Sequence, residues 1–114
     1  MQTINLQEYL QSHGIQVENP AAIQGYLLPR PDMLTPTLKV CEMTRRAFDP
    51  STTISLALYI DPEIDDRYLT LYVKQKPYNP ALIDEIEEVS ERTRSMLSGI
   101  SGRLLITADL RFRE

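Results

Sequence analysis

A chain of 114 residues is long enough to bury a core without staples, and 42% hydrophobic with 25% charged residues is ordinary for a globular protein. The net charge of −4 argues against a general nucleic-acid binder, whose mark is a basic excess. One cysteine, Cys41, rules out an internal disulfide and points to a reducing, cytoplasmic setting, and neither a signal-peptide pattern nor an apolar run of membrane-spanning length occurs.

The first predicted helix covers residues 5–13. Asn5 is a suitable N-cap, Leu6, Tyr9 and Leu10 form a stripe at i, i+3, i+4, and Gly14 supplies a left-handed stop after His13. A second start signal follows, with Asn19 as cap and Pro20 at the first helical position, weakened by Gly25. The prolines of PRPDMLTP, residues 29–36, predict an extended or turning connection. A third helix begins at Thr35-Pro36. It places Val40, Met43, Thr44, Ala47 and Phe48 on one side, Lys39, Glu42, Arg45 and Arg46 on the other, and ends at Asp49-Pro50.

The period then changes to two. TTISLALYI turns Ile54, Leu56, Leu58 and Ile60 one way and Thr53, Ser55, Ala57 and Tyr59 the other. YLTLYVK repeats the pattern, with Leu69, Leu71 and Val73 against Tyr68, Thr70, Tyr72 and Lys74. YNPALIDEIEEVSERTRSMLSGI is the strongest helix, capped at Asn79, striped from Leu82 through Ile83, Ile86, Val89, Thr93, Met96 and Leu97, and stopped at Gly99 before Ile100. RLLITADLRF closes the series as a third strand, with Leu104, Ile106, Ala108, Leu110 and Phe112 on one side.

These elements predict an α+β fold in a single domain, 1–114, made of an irregular helical N-terminal segment, 1–36, and an α-β-β-α-β core, 37–112. The expected sheet is mixed and three-stranded, of split β-α-β type. The uncharged strand 51–60 lies at its centre, and two helices cover the aliphatic face. In that arrangement the last strand runs antiparallel to the central one and parallel to the second. Lys74 and Lys76 assign the second strand to an edge.

The acidic stretch DPEIDD stands between the two adjacent strands. Asp61, Glu63 and Asp65 hold the first three ligand spacings of an EF-hand loop. The pattern then breaks, with Asp66 where the loop needs glycine and Tyr72 where it needs a bidentate glutamate. A solvated hairpin tip is the better reading, leaving Asp61, Glu63, Asp65 and Asp66 as a weak divalent-cation site at most. His13 reads as a helix terminator, and one His with one Cys cannot build a zinc site. A Cys41–His13 nucleophilic pair would need two distant segments to meet, with Cys41 beside an apolar stripe. No phosphate-cradling glycine motif is present, and the carboxylates of DEIEEVSE fall on the solvated side of a helix. The sequence therefore assigns no catalytic residue and no cofactor.

The second face of the sheet remains. Ser55, Tyr59, Tyr68, Thr70, Tyr72, Asp109 and Arg111 form a candidate contact surface, because tyrosine gives large contact area with few rotamers and a polar tip. The expected function is non-catalytic protein–protein interaction, as a homodimer or a small accessory partner, through this face or a free strand edge. The competing expectations are that the N-terminal helices fold over the face, or that a small ligand or substrate binds between the N-terminal segment and the sheet. An RNA-binding sheet would show such aromatics in more basic surroundings.

DPEIDDRYLTLYVKQ, the acidic helix and GRLLITADLR together resemble small bacterial proteins without an assigned function, cyanobacterial ones among them. The resemblance covers residues 37–112 and implies no activity.

Overall fold

The computed structural model describes residues 6–61, 63–64, 66–75 and 79–109. The predicted positions of Asn5, Asp65, Lys76, Leu110, Arg111 and Phe112 lie outside them. Within them the order is α1 (Leu6–Ser12), β1 (Gln16–Val17), α2 (Pro20–Leu27), a 3-10 turn (Pro31–Met33), α3 (Leu34–Ala47), β2 (Thr53–Ile60), β3 (Arg67–Lys74), α4 (Ala81–Thr93), a second 3-10 turn (Arg94–Leu97) and β4 (Leu104–Ala108).

The local signals mostly act where they stand. Asn19 sits at φ 49°, a conformation that asparagine tolerates, and its side chain accepts from the Ala22 N–H to open α2. The Asn79 side chain accepts from the Ala81 N–H at 3.0 Å and so serves the start of α4. Gly99, at φ 77°, follows the turn that ends this helical stretch. Two differences concern prolines and length. The 29–36 segment is not extended: Pro31 opens a 3-10 turn and α3 already begins at Leu34, with Pro36 in its first turn, where a proline forfeits no helical bond. The helix predicted to run up to the Gly99 stop leaves α geometry at Thr93, whose hydroxyl bonds back to the Val89 carbonyl, and tightens into 3-10 over Arg94–Leu97.

The class is α+β, but the sheet is not the three-stranded one expected. It has four strands in the order β1-β2-β3-β4, with β1 parallel to β2, β2 antiparallel to β3, and β3 parallel to β4. β4 lies beside β3, so the strand–helix–strand unit is closed rather than split, and β3 shares the centre with β2. The position predicted for β4 is taken by Gln16–Val17, whose two residues are too short for any periodicity to reveal. Lys74 does not make β3 an edge. It is the last residue of the strand, opposite Thr53, and the β4 pairing stops one residue earlier, at Val73–Ala108. Its charge therefore leaves the ladder at an end, not along a side.

The prediction of a shared aliphatic face holds. Leu56 is the register partner of Leu71, and Leu71 of Ile106. Ile54, Leu56, Leu69, Leu71 and Val73 are fully buried beneath Thr37, Val40, Cys41 and Thr44 of α3 and Leu82, Ile86 and Val89 of α4. Ala47 and Ile83, expected on the inner stripes, are exposed, while Phe48 is buried. Both β-α-β connections cover this same face although their strand pairs run in opposite directions, so the two crossovers are of opposite hand. A two-residue β1 imposes little of the twist that makes right-handed crossovers the rule.

The N-terminal segment packs on the aliphatic side too. Tyr9 donates to the Glu42 carboxylate, and Arg45 donates to the Gly14 and Thr52 carbonyls, which ties α1 to α3. Asp32 accepts from the Ser101 hydroxyl at 2.5 Å and from its N–H at 2.7 Å, and Tyr26 accepts from the Arg103 N–H. The two Ser101 bonds hold the Asp32 carboxyl below its usual range, so their contribution is present at neutral pH and fades as pH falls through that lowered value.

Candidate functional site

The second sheet face is set by register. β2 and β3 bring Ser55 opposite Tyr72, Ala57 opposite Thr70, and Tyr59 opposite Tyr68; β4 adds Leu105 beside Thr70 and Thr107 beside Tyr72. The structure thus places Ser55, Tyr59, Tyr68, Thr70 and Tyr72 on one surface, as their alternation requires. Asp109 follows directly after β4, and its N–H donates to the Val73 carbonyl.

No described helix lies over this surface. Tyr59 and Leu105 remain 39% and 42% exposed, and Thr53 and Thr107 are exposed as well. The expectation that the N-terminal helices might cover it is overturned, because their apolar residues are spent against α3 and the opposite side of the sheet. The middle of the face is nonetheless dry. Ser55, Ala57 and Thr70 are small and stand between longer neighbours, which leaves them under a tenth exposed. Ser55 donates to Gln16 on β1, while the Thr70 hydroxyl oxygen has no hydrogen-bond partner among the described residues.

One end of the face carries an ordered row across three strands. The Tyr59 and Tyr68 rings lie 5.0 Å apart at 32°, and the Arg103 guanidinium sits 4.2 Å above the other side of the row, on Tyr68. Asp66 completes it with a 3.0 Å ion pair to Arg103. Sequence reasoning missed Arg103 and Leu105. The LL doublet at 104–105 carried the signal for Leu105: in a strand, adjacent leucines point to opposite faces, so one of them must break the hydroxyl character of the outer row.

The acidic loop is organised by its own hydrogen bonds. The Asp61 carboxylate accepts from the Glu63 and Ile64 N–H groups, its N–H donates to the Asp66 carbonyl, and the Asp66 side chain is turned to Arg103. Among the described residues no three His, Cys, Asp or Glu side chains gather as metal ligands. Ile64 at this tip is 69% exposed.

His13 and Cys41 occupy different environments. His13 is exposed at the end of α1, with Nδ1 2.8 Å from the Tyr9 carbonyl and Nε2 3.8 Å from Glu42. Cys41 is fully buried, and loss of solvent pushes its thiol up to about 12. Such a thiol is protonated at neutral pH and is no nucleophile. A thiol-reactive reagent is therefore expected to label Cys41 in urea and to leave the folded chain unlabelled at pH 8. The sign of the linkage follows: the unfolded thiol ionises near 9.0 and the folded one near 12, so stability falls as pH rises between them. A urea midpoint that stays level across that interval, relative to Cys41→Ala, would contradict it.

A cavity of about 370 Å³ lies between α2 and the hairpin end of the sheet, lined by Ala22, Tyr26, Arg30, Leu58, Ile60 and Arg67. This is the place predicted for a ligand pocket. The Arg30 guanidinium is laid over the Tyr26 ring at 4.1 Å and donates to the Tyr26 carbonyl, and half of Ile60 is open to solvent. A second groove, of about 430 Å³, runs along the outer side of β4 beneath α4. No described helix is long and apolar enough to cross a membrane. No protein-family model, curated protein or solved structure matches the chain, so the functional reading rests on this geometry alone.

Proposed function

We propose that the chain is a non-catalytic interaction domain that recognises protein through its open sheet face. The observation that carries this reading is the row of Tyr59, Tyr68 and Arg103 with Leu105 beside it, which no described helix covers, on a sheet whose other face carries the helices and most of the core. Tyrosine and arginine are the residues that most often anchor protein interfaces, because they bury large area at low entropic cost. Here their rotamers are held in advance by the ring stack and the Asp66 ion pair, which lowers the ordering cost of binding. Ala57 and Thr70, beside this row, are already shielded from solvent by their longer neighbours. The ligand-pocket alternative has less in its favour, since the 370 Å³ cavity has an open apolar wall and an arginine already engaged with Tyr26.

Leu105 and Ile83 provide a matched test, because both are 42% exposed but they lie on opposite sides of the molecule. A photo-cross-linking benzoylphenylalanine installed at Leu105 in cells is expected to give a discrete protein adduct, while the same group at Ile83 gives none. Equal labelling from both positions, or no protein adduct from 105, would refute the reading.

A further inference from the structure

We infer that one partner is a second copy of this chain, joined through β4 in an antiparallel register centred on Ile106, so that two four-stranded sheets continue into one. The inference rests on the interaction-domain reading above and names its partner and geometry.

The first argument is which backbone groups are on offer. The Arg103 carbonyl accepts from the Leu69 N–H, and the Asp109 N–H donates to the Val73 carbonyl. In a parallel ladder alternate residues turn toward the neighbour. Odd-numbered β4 residues therefore face β3, and Leu104, Ile106 and Ala108 turn their N–H and C=O groups outward. β4 is the last strand of the described sheet, so these groups face no further strand.

The second argument is the lack of protection. Exposed edges usually carry charge, proline or a bulge that discourages pairing. β4 reads LLITA, with none of these. The opposite edge, β1, is only two residues long and runs into Asn19 at φ 49° and then Pro20, so it offers almost nothing to a new strand. The two edges of one sheet are treated differently, and the unprotected one adjoins the recognition face.

The third argument is self-complementarity. Outward groups sit on even-numbered residues, so an antiparallel self-pair must match even with even. Centring on Ile106 sets Ile106 against Ile106 and Leu104 against Ala108, with two hydrogen bonds in each pair. It also sets Leu105 against Thr107 on the open face. Beyond the strand ends it brings Arg103 of each copy opposite Asp109 of the other, which is charge complementarity at both ends. Sliding by two residues either way loses a hydrogen-bonded pair and both ion pairs. Arg103 keeps room for a second carboxylate, because its side chain is 54% exposed beside Asp66. The 430 Å³ groove between β4 and the α4 end, lined by Thr93, Arg94, Leu97, Leu104 and Ile106, lies where the second copy's Ile106 row would pack.

The register dictates a charge-swap experiment on the full chain. Arg103→Asp alone sets acid against acid, and Asp109→Arg alone sets arginine against arginine, whereas an equimolar mixture restores opposite charges at both ends. Sedimentation equilibrium at about 100 μM, well above a micromolar dissociation constant, is expected to give wild type at twice the 13.1 kDa chain mass. Each variant alone, and Ile106→Lys, should associate at least tenfold more weakly, and the mixture should recover the wild-type mass. Circular dichroism melts of each sample show that a monomeric variant is folded. A monomeric wild type, or a dimer indifferent to all three substitutions, overturns the inference. If the purified chain is monomeric while position 105 still cross-links to a different protein, self-pairing fails and the interaction reading stands; with neither dimer nor adduct, both fail.

Discussion

Leu71→Ala is expected to lower stability by about 2–5 kcal/mol, the range for emptying a leucine-sized volume in a core that cannot collapse around it. Leu71 is fully buried in β3, flanked in register by Leu56 and Ile106 and covered by the α3 and α4 rows. A strand pinned on both sides by hydrogen-bonded neighbours has little freedom to shift into the space. Thermal melting at low protein concentration should show a fall of roughly 10 °C or more for a chain of this size. The comparison that gives the result meaning is Leu105→Ala. It removes the same side chain from the 42% exposed face, and is expected to move stability by no more than about 0.5 kcal/mol. Equal losses at the two positions would mean that the open face is covered, and the recognition proposal would lose its basis.

Gly102→Val is expected to cost about 1–3 kcal/mol, through overpacking and not through backbone conformation. A Cβ at Gly102 would run into the Met33 sulfur, stand 2.6 Å from the Tyr26 hydroxyl and 3.0 Å from the Arg30 side chain. The next residue donates its N–H to that same hydroxyl, so displacing Tyr26 also breaks the bond that ties α2 to the start of β4. The urea midpoint should fall with an unchanged slope, which marks lost stability and not a changed unfolded state. Gly25 supplies the opposite case. It lies inside α2 with nothing within 4 Å of its would-be Cβ, so Gly25→Ala should raise stability by about 0.5–1 kcal/mol through the unfolded chain's lost freedom. If Gly102→Val were as benign as Gly25→Ala, the close contact of the N-terminal segment with the β4 entry would be wrong.

Short-range chemistry was legible in the residues. Asn19-Pro20 and Asn79-Pro80 mark helix starts, Gly99 marks a stop, and the alternation of TTISLALYI and YLTLYVK assigns each side chain to a face before any pairing is known. Alternation is a property of one strand, fixed by the pleat, which explains why Ser55, Tyr59, Tyr68, Thr70 and Tyr72 could be grouped correctly. Alternation alone did not single out Arg103, the first residue of RLLITADLRF: it earns its place only by lying over Tyr68, a contact with a neighbouring strand.

What one strand cannot encode is its neighbour. The apolar character of β2 made it look like the sole centre, yet β3 is just as enclosed, because Gln16–Val17 caps one side of the pair and β4 the other. Lys74 looked like an edge marker because charge tells that a position is wet, not whether it is wet at a strand's end or along its side. The sequence alone determined the class, the helix starts after Asn19 and Asn79 and the two-faced character of each strand, since these follow from backbone periodicity and caps within a few residues. Strand order, the two-residue β1, and the choice to leave the tyrosine face open were decided only by tertiary packing. That choice followed once the N-terminal helices found their apolar partners on α3 and the aliphatic side, contacts made between residues far apart in the chain.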